Sequence, residues 1–466
     1  MLFSSMSFVF LFLPVVCAIY LCAKKELHNA ILLAASIIFY AWGEPKYLAI
    51  MLLTIIINYS GAIALNKYPK YRKFLLLLTI IADLGFLFYF KYFNFVIENI
   101  NSILSADIKF VEIILPLGIS FYTFQAMSYI IDVYRGECAV QKNFYKLSLY
   151  ICLFPQLIAG PIVKYHDIAD QIEHREVNFE KVQYGVKRFI IGLAKKMLIA
   201  NTLGAIADKI FVQSPDSFSP FIAWLGAFAY SFQLYFDFSG YSDMAIGLGA
   251  IFGFKFLENF NYPYISKSIS EFWRRWHISL STWFKQYVYI PLGGNREGLR
   301  RTCLNLGIVF LLTGIWHGAS WTFILWGLWN GFFIIFEKLT GWSKESSTPC
   351  LNILKHLYVI LIFVVGWVIF RSENLIYAFA YVKNMFGLVQ LQDAAYKIGY
   401  YIDSYEVIMF AAALLCSVPL FRNILNVNRK NKFLYGFVNI WLLFLFLLST
   451  ATIAASTYNP FIYFRF

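Results

Sequence analysis

Charge is what this chain has least of. Only 14% of its 466 residues are Asp, Glu, Lys or Arg, against ~25% in an average soluble domain, while 60% are hydrophobic. That shortage excludes a soluble multidomain protein of this length, and the apolar excess excludes disorder. Cysteine is sparse and scattered: Cys17, Cys22, Cys138, Cys152, Cys303, Cys350 and Cys416 include no pair at metal-ligand spacing. They read as apolar helix residues, and a disulfide scaffold or a zinc site is not expected. Strict alternation of apolar and polar residues is missing as well, which excludes a membrane β-barrel. No internal repeat, low-complexity tract or soluble domain is visible.

What the chain has instead is a series of continuous apolar runs between Phe8 and Ala455, each long enough to cross a bilayer. The expected fold is an all-α polytopic membrane protein with roughly 11–12 transmembrane or re-entrant helices. Spans fit 5–23, 27–42, 46–65, 73–90, 111–131, 186–212, 220–253, 303–319, 321–339, 354–371, 405–421 and 433–455. Residues 145–163 are also apolar, yet the loops on both sides of them read as cytosolic. A re-entrant segment is expected there, with Gly160-Pro161 as its helix-ending signal. The whole chain, 1–466, reads as one integral membrane domain, with N-terminal helices over 1–140, a core over 141–340, and C-terminal helices and a tail over 341–466.

The charge that is present is mostly positive, 39 Lys and Arg against 26 Asp and Glu, a net +13. In a membrane protein this marks cytosolic loops and attraction to anionic headgroups rather than nucleic acid. A basic cytosolic face can also hold a polyanionic donor. Lys24 and Lys25 follow an apolar run that lacks a basic start, which predicts a retained first span with the N-terminus outside. The acid-free loop with Arg422, Arg429, Lys430 and Lys432 is expected to be cytosolic, which puts the tail from Ser456 to Phe466 on the outer side.

Polar groups at membrane depth are costly, so they are the candidates for function. One cluster runs from Gln233 to Asp243 and holds Asp237, Ser239 and Asp243; it can contact substrate, or simply tie helices together. A second places Trp273, Trp276, Leu280, Trp283, Phe284 and Tyr287 on one helical stripe, with Arg274 and Arg275 facing away and His277 at its edge. This predicts an amphipathic interfacial helix whose arginines either anchor it or grip phosphates. In the third, Gly314-Ile-Trp316-His317-Gly318-Ala-Ser-Trp321, small residues on either side of a histidine leave room for a ligand, although the same spacing is a helix-packing signal. Gln156 and Asn330 are further polar residues inside apolar runs. Of six histidines only His277 and His317 lie in the stretch from Trp273 to Trp329, which holds seven of the twelve tryptophans. No acid or cysteine completes a ligand set around them, so no metal is expected. The tail, Asn459-Pro-Phe-Ile-Tyr463-Phe-Arg-Phe466, is either an aromatic anchor or a segment that reaches into a cavity, where a tyrosine hydroxyl can act as a nucleophile.

Together, Trp276-His277-Ile-Ser-Leu-Ser, Gly-Ile-Trp-His317-Gly-Ala-Ser-Trp, Phe-Asp237-Phe-Ser-Gly-Tyr-Ser-Asp243 and Gln156-Leu-Ile-Ala-Gly-Pro161 resemble the membrane-bound O-acyltransferase family over nearly the whole chain. The resemblance is to its bacterial branch, which serves alginate and peptidoglycan O-acetylation. It implies a helical bundle with a cytosolic funnel and a central tunnel. His317 matches the family's catalytic histidine and His277 its second, less uniformly catalytic position. Phe-Ile-Tyr463-Phe-Arg-Phe resembles an acyl-accepting motif that D-alanylation systems carry on a small separate protein.

The expected function is O-acetyl transfer to an extracytoplasmic polysaccharide from a bacterial cytoplasmic membrane. The donor is acetyl-CoA as substrate, with no bound cofactor. His317 is general base, Tyr463 the relay acceptor, and a secreted hydrolase-like acetyltransferase the partner that completes the transfer. Trp273, Arg274, Arg275, Trp276, Trp316, Trp321, Asp237, Ser239, Asp243, Gln156 and Asn330 are expected around donor and substrate. The rival functions are a polysaccharide or lipid exporter, which would survive loss of His317, and a non-catalytic scaffold, which would show no acyl chemistry when isolated.

Overall fold

The computed structural model describes the chain apart from residues 159, 345, 391–395, 422–430, 457, 461 and 463–466. Among the described residues every regular element is helical. Seven helices among the described residues are long and apolar enough to cross a membrane: Pro45–Lys67, Pro69–Leu104, Phe179–Phe211, Gly298–His317, Trp321–Thr340, Pro349–Arg371 and Lys432–Ala455. The other expected spans are met by shorter or more polar helices, Phe8–Cys22, His28–Gly43, Ile119–Arg135, Pro220–Ile251 and Ser404–Cys416. The protein is thus an all-α, multi-pass membrane protein.

Two expectations change. The predicted span over 111–131 starts only at Ile119, because Pro116 and a left-handed Gly118 (φ 73°) delay the helix. The segment over 145–163 is broken, as a re-entrant element requires, but the break comes earlier than Gly160-Pro161. Helix Phe144–Cys152 stops at Leu153, whose non-helical backbone (ψ 109°) separates it from a four-residue helix over Phe154–Leu157, with Pro155 in the first turn of the second.

The chain divides into two compact units. One comprises Met1–Phe189 with Tyr241–Leu257, the other Ile190–Gly240 with Glu258–Phe466. In the first, Asn58 donates to both oxygens of buried Asp83 at 2.9 Å, and Arg188 grips Asp243 at 2.6 Å. Such pairing is how a bilayer-embedded fold accommodates carboxylates.

In the second unit, Gly298–His317 and Trp321–Thr340 form a helical hairpin. Apolar burial drives little association inside lipid, so close packing has to hold the two helices together. Glycine supplies it. A carbon added at Gly314 would lie 2.5 Å from the Phe323 carbonyl oxygen and 3.2 Å from Gly327 Cα, and one added at Gly327 would strike the Phe310 carbonyl oxygen. The space beside Gly314 is therefore filled by the neighbouring backbone, and that beside Gly318 by the Phe323 ring, rather than left open for a ligand.

The expected amphipathic helix over 271–287 is two helices, Ile269–Arg275 and Ile278–Phe284, with the break at Trp276-His277. Its aromatic stripe does not face outward either. Trp273, Trp276, Leu280, Trp283, Phe284 and Tyr287 are all buried inside the protein. Fully buried Glu337 fixes the start of this segment, accepting from the Ile269 and Ser270 amides and the Ser270 hydroxyl.

Candidate active site

His317 closes the first helix of the hairpin, where Gly318 takes an extended conformation and ends it. Three aromatic rings stand nearly perpendicular to the imidazole: Trp316 at 5.0 Å, Trp326 at 4.9 Å and Phe370 at 5.2 Å between centroids. Edge contacts of this kind contribute ~0.5–1.5 kcal/mol each, enough to hold a ring in one orientation. Two of the three walls come from other helices, Trp326 from Trp321–Thr340 and Phe370 from Pro349–Arg371.

His277 occupies the break between the two short helices with a left-handed backbone, φ 43° and ψ 55°. A non-glycine residue there costs ~1–3 kcal/mol, and such strain collects at functional positions. Asn259 holds it in place. The Asn259 carbonyl oxygen accepts from the Ile278 amide at 3.0 Å. Its side-chain oxygen accepts from the Ser279 amide at 3.1 Å and the Ser279 hydroxyl at 2.9 Å, and lies 3.2 Å from His277 Nδ1. That oxygen can only accept, so His277 donates from Nδ1 and keeps its lone pair on Nε2. Burial pushes the imidazole down to about 3, so the ring is neutral. Asn259→Ala would strip Ser279 of its acceptor and His277 of its orienting group. The expected loss is ~1–3 kcal/mol of stability with a fall in turnover, both largely restored in Asn259→Asp; thermal unfolding and transfer rates check this.

The two histidines share a neighbour. Trp316 packs on His317 and also lies 6.2 Å from the His277 ring, whose other face meets Phe238 at 4.6 Å. A second aromatic path joins the elements, from Trp276 to Trp367 at 4.9 Å, Trp367 to Trp326 at 5.7 Å, and Trp326 to His317. Asn330 ties this wall together, accepting from Trp273 Nε1 at 3.2 Å and donating to the Trp326 carbonyl at 2.9 Å. A cavity of about 210 Å³ opens beside it, lined by Phe323, Phe370, Gln233, Thr322 and Arg371 and, from the tail, by Ile462.

Sequence-predicted residues fall into three groups. Trp273, Trp276, Trp316, His277, His317 and Asn330 converge. Asp237 and Ser239 are buried in the same unit, but Asp237 is occupied by Lys196 at 2.6 Å and by the tail. The others differ case by case. Trp321, expected along the passage, is 53% exposed. Arg275 is committed to Glu271 at 2.9 Å and the Asn261 carbonyl at 3.1 Å, while Arg274 is exposed. Asp243 and Gln156 belong to the first unit, where Gln156 donates to the Tyr150 carbonyl at 2.6 Å. Tyr463, and Arg422, Arg429 and Lys430 of the basic loop, lie outside the described residues.

Sequence reasoning missed Asn259, Phe370, Trp326 and Lys196. A lysine within an apolar run was the one available signal among these. It also missed Asp132, Glu137 and His166 in the first unit, whose ligand atoms lie within 4.8 Å of one another.

The site thus consists of two buried histidines, His277 and His317, that share the Trp316 indole within an all-helical membrane protein. A sequence model of the MBOAT, membrane-bound O-acyltransferase, family matches residues 139–379. The chain belongs to that family and is an acyltransferase. It is 41% identical to a probable alginate O-acetylase of Pseudomonas putida, with the whole of both chains covered. It is 37% identical to the peptidoglycan O-acetyltransferase of Helicobacter pylori over 83% of this chain and 80% of that one. It is 31% identical to the teichoic acid D-alanyltransferase of Bacillus subtilis over 49% of this chain and 60% of that one.

Proposed function

We propose that this protein moves acetyl groups from cytosolic acetyl-CoA across the cytoplasmic membrane for O-acetylation of an extracytoplasmic polysaccharide, with Tyr463 as the relay acceptor. The observation that carries the reading is the aromatic box around His317, whose Phe370 wall also borders the cavity touched by tail residue Ile462. The relatives named for alginate and peptidoglycan acetylation support the same chemistry.

In the first step a nitrogen of His317 takes the phenolic proton of Tyr463. The phenolate oxygen attacks the thioester carbonyl, the C–S bond breaks, and the departing thiolate of CoA takes up the proton. General base assistance of this kind is worth ~10²–10⁴ in rate. His277, oriented by Asn259 and coupled to His317 through Trp316, positions the pair. The indoles exclude water that would otherwise hydrolyse the thioester. In the second step a polymer hydroxyl, activated on a secreted hydrolase-like partner, takes the acetyl group and tyrosine leaves as phenolate, a good leaving group at pKa ~10. The tail faces outward in this scheme, as does the N-terminus.

The test is the intact mass of the purified protein after incubation with acetyl-CoA, followed by peptide mapping. One acetyl on Tyr463, absent in Tyr463→Phe, is the expected outcome. An adduct that persists in Tyr463→Phe moves the acceptor elsewhere. No adduct even with the partner present overturns the relay and points to direct transfer to the polymer or to a different acyl donor.

A further inference from the structure

We propose that the buried Lys196–Asp237 ion pair is a clamp on the main chain of the tail, which sets the register in which residue 463 is presented. This rests on the assignment of Tyr463 as acceptor and names the groups that place it.

Lys196 lies inside the membrane-length helix Phe179–Phe211, on a π-helical stretch, Lys195–Ala200. Such widened turns re-aim side chains and are frequent at functional sites. The side chains of Lys196 and Asp237 are 3% and 2% exposed, and their charged atoms are 2.6 Å apart. A buried ion pair adds little stability over apolar residues of the same size, so packing alone gives no reason to keep one here.

The pair is not closed on itself. Lys196 Nζ also donates to the Pro460 carbonyl oxygen, and Asp237 Oδ2 accepts from the Ile462 amide at 3.0 Å. Both are main-chain groups of the tail, so the clamp reads position along the chain rather than side-chain identity. Pro460 has no N–H of its own and biases Asn459 toward an extended backbone, which suits a strap.

Room for this comes from Gly240. A carbon added there would lie 2.7 Å from the Gly192 carbonyl oxygen and 3.2 Å from Lys195 Cβ, so the helices bearing Lys196 and Asp237 approach closely at that point. A second ion pair holds the strap at Tyr458, four residues before the Ile462 amide that Asp237 accepts. Arg371 bonds Asp208 at 2.5 Å, Asp208 accepts from the Tyr458 hydroxyl at 2.7 Å, and Asn201 donates to the Tyr458 carbonyl at 3.3 Å. Tyr458, Pro460 and Ile462 are thus gripped at successive points shortly before residue 463 in the chain.

The test uses the full-length protein in detergent. Lys196→Met with Asp237→Leu removes both charges and leaves neither buried alone. Carboxypeptidase digestion followed by intact mass reads release of the tail independently of acyl chemistry, and steady-state kinetics read its effect on transfer. Digestion is expected to accelerate about tenfold and kcat to fall about tenfold with KM for acetyl-CoA unchanged. Ile462→Pro, which removes the clamped N–H, should do the same, and to a clearly greater extent than Ile462→Ala, which shortens the same buried side chain but keeps the N–H. That contrast keeps the test valid if the double variant fails to fold. A tail as protected in Ile462→Pro as in the wild type overturns the clamp, as does a released tail that acetylates at the wild-type rate. If release follows the variants but Tyr463 of the wild type never carries acetyl, the clamp stands and the acceptor assignment fails.

Discussion

His317→Ala is expected to lower acetyl transfer by at least ~10²–10⁴-fold while leaving the protein folded. Ring and box make the two effects separable. The imidazole contributes three edge contacts, to Trp316, Trp326 and Phe370, and their loss removes a few tenths to ~1.5 kcal/mol apiece. The hairpin itself is held by the backbone contacts at Gly314 and Gly327 and by the packing of Trp326 on Trp367, neither of which involves the imidazole. Thermal unfolding should therefore move far less than turnover. His317→Gln restores bulk and hydrogen bonding but not basicity, and it is expected to recover stability without activity. Transfer rates near wild type in His317→Ala would remove this residue from the chemistry and point to His277 Nε2 as the base.

Gly327→Leu is the change expected to damage the fold most. Its Cβ collides with the Phe310 carbonyl oxygen and falls 3.0 Å from Gly314 Cα. Both are backbone atoms, so no rotamer relieves the clash and the hairpin must part. Overpacking in a rigid interior typically costs ~1–3 kcal/mol, and more where only backbone can yield. Trp326 adjoins the mutated position, so the box around His317 shifts with it, and a displacement of ~1 Å at a reacting group is worth ~10² in rate. Loss of the monodisperse folded peak in size-exclusion chromatography, together with loss of turnover, checks this. Gly307→Ala is the control: its added carbon meets only Ile335 at 3.9 Å, and it should be neutral.

How far the molecule could be read from its sequence depended on which forces were local. Spans such as Pro349–Arg371 follow from apolar run length alone, and helix Pro220–Ile251 was visible despite its carboxylates. His277 shows the limit. Nothing in Trp276-His277-Ile278 signals a helix break, since the left-handed turn is imposed by Asn259 from outside the segment. The indole stripe has helical period and suggests an interfacial face, yet its partners, Trp326 and Trp367, lie on helices later in the chain. Asp237 was found by its cost at membrane depth, but the same rule applied to Lys196 would have supplied its partner. The arginines fared differently again. Arg275 carries charge in the right region, and only the structure shows that Glu271 consumes it.

The glycine-packed hairpin also bears on biogenesis. Its ends carry charge of both signs, with Arg296, Glu297, Arg300 and Arg301 at one and Glu337, Lys338 and Lys344 at the other, whereas its turn, Gly318-Ala319-Ser320, carries none. Two helices already zipped through Gly314 and Gly327 can enter the bilayer as one body, with only a short neutral turn leading. The histidine beside that turn is delivered to its depth by the insertion step itself, and no charged group has to be dragged through the hydrocarbon to put it there.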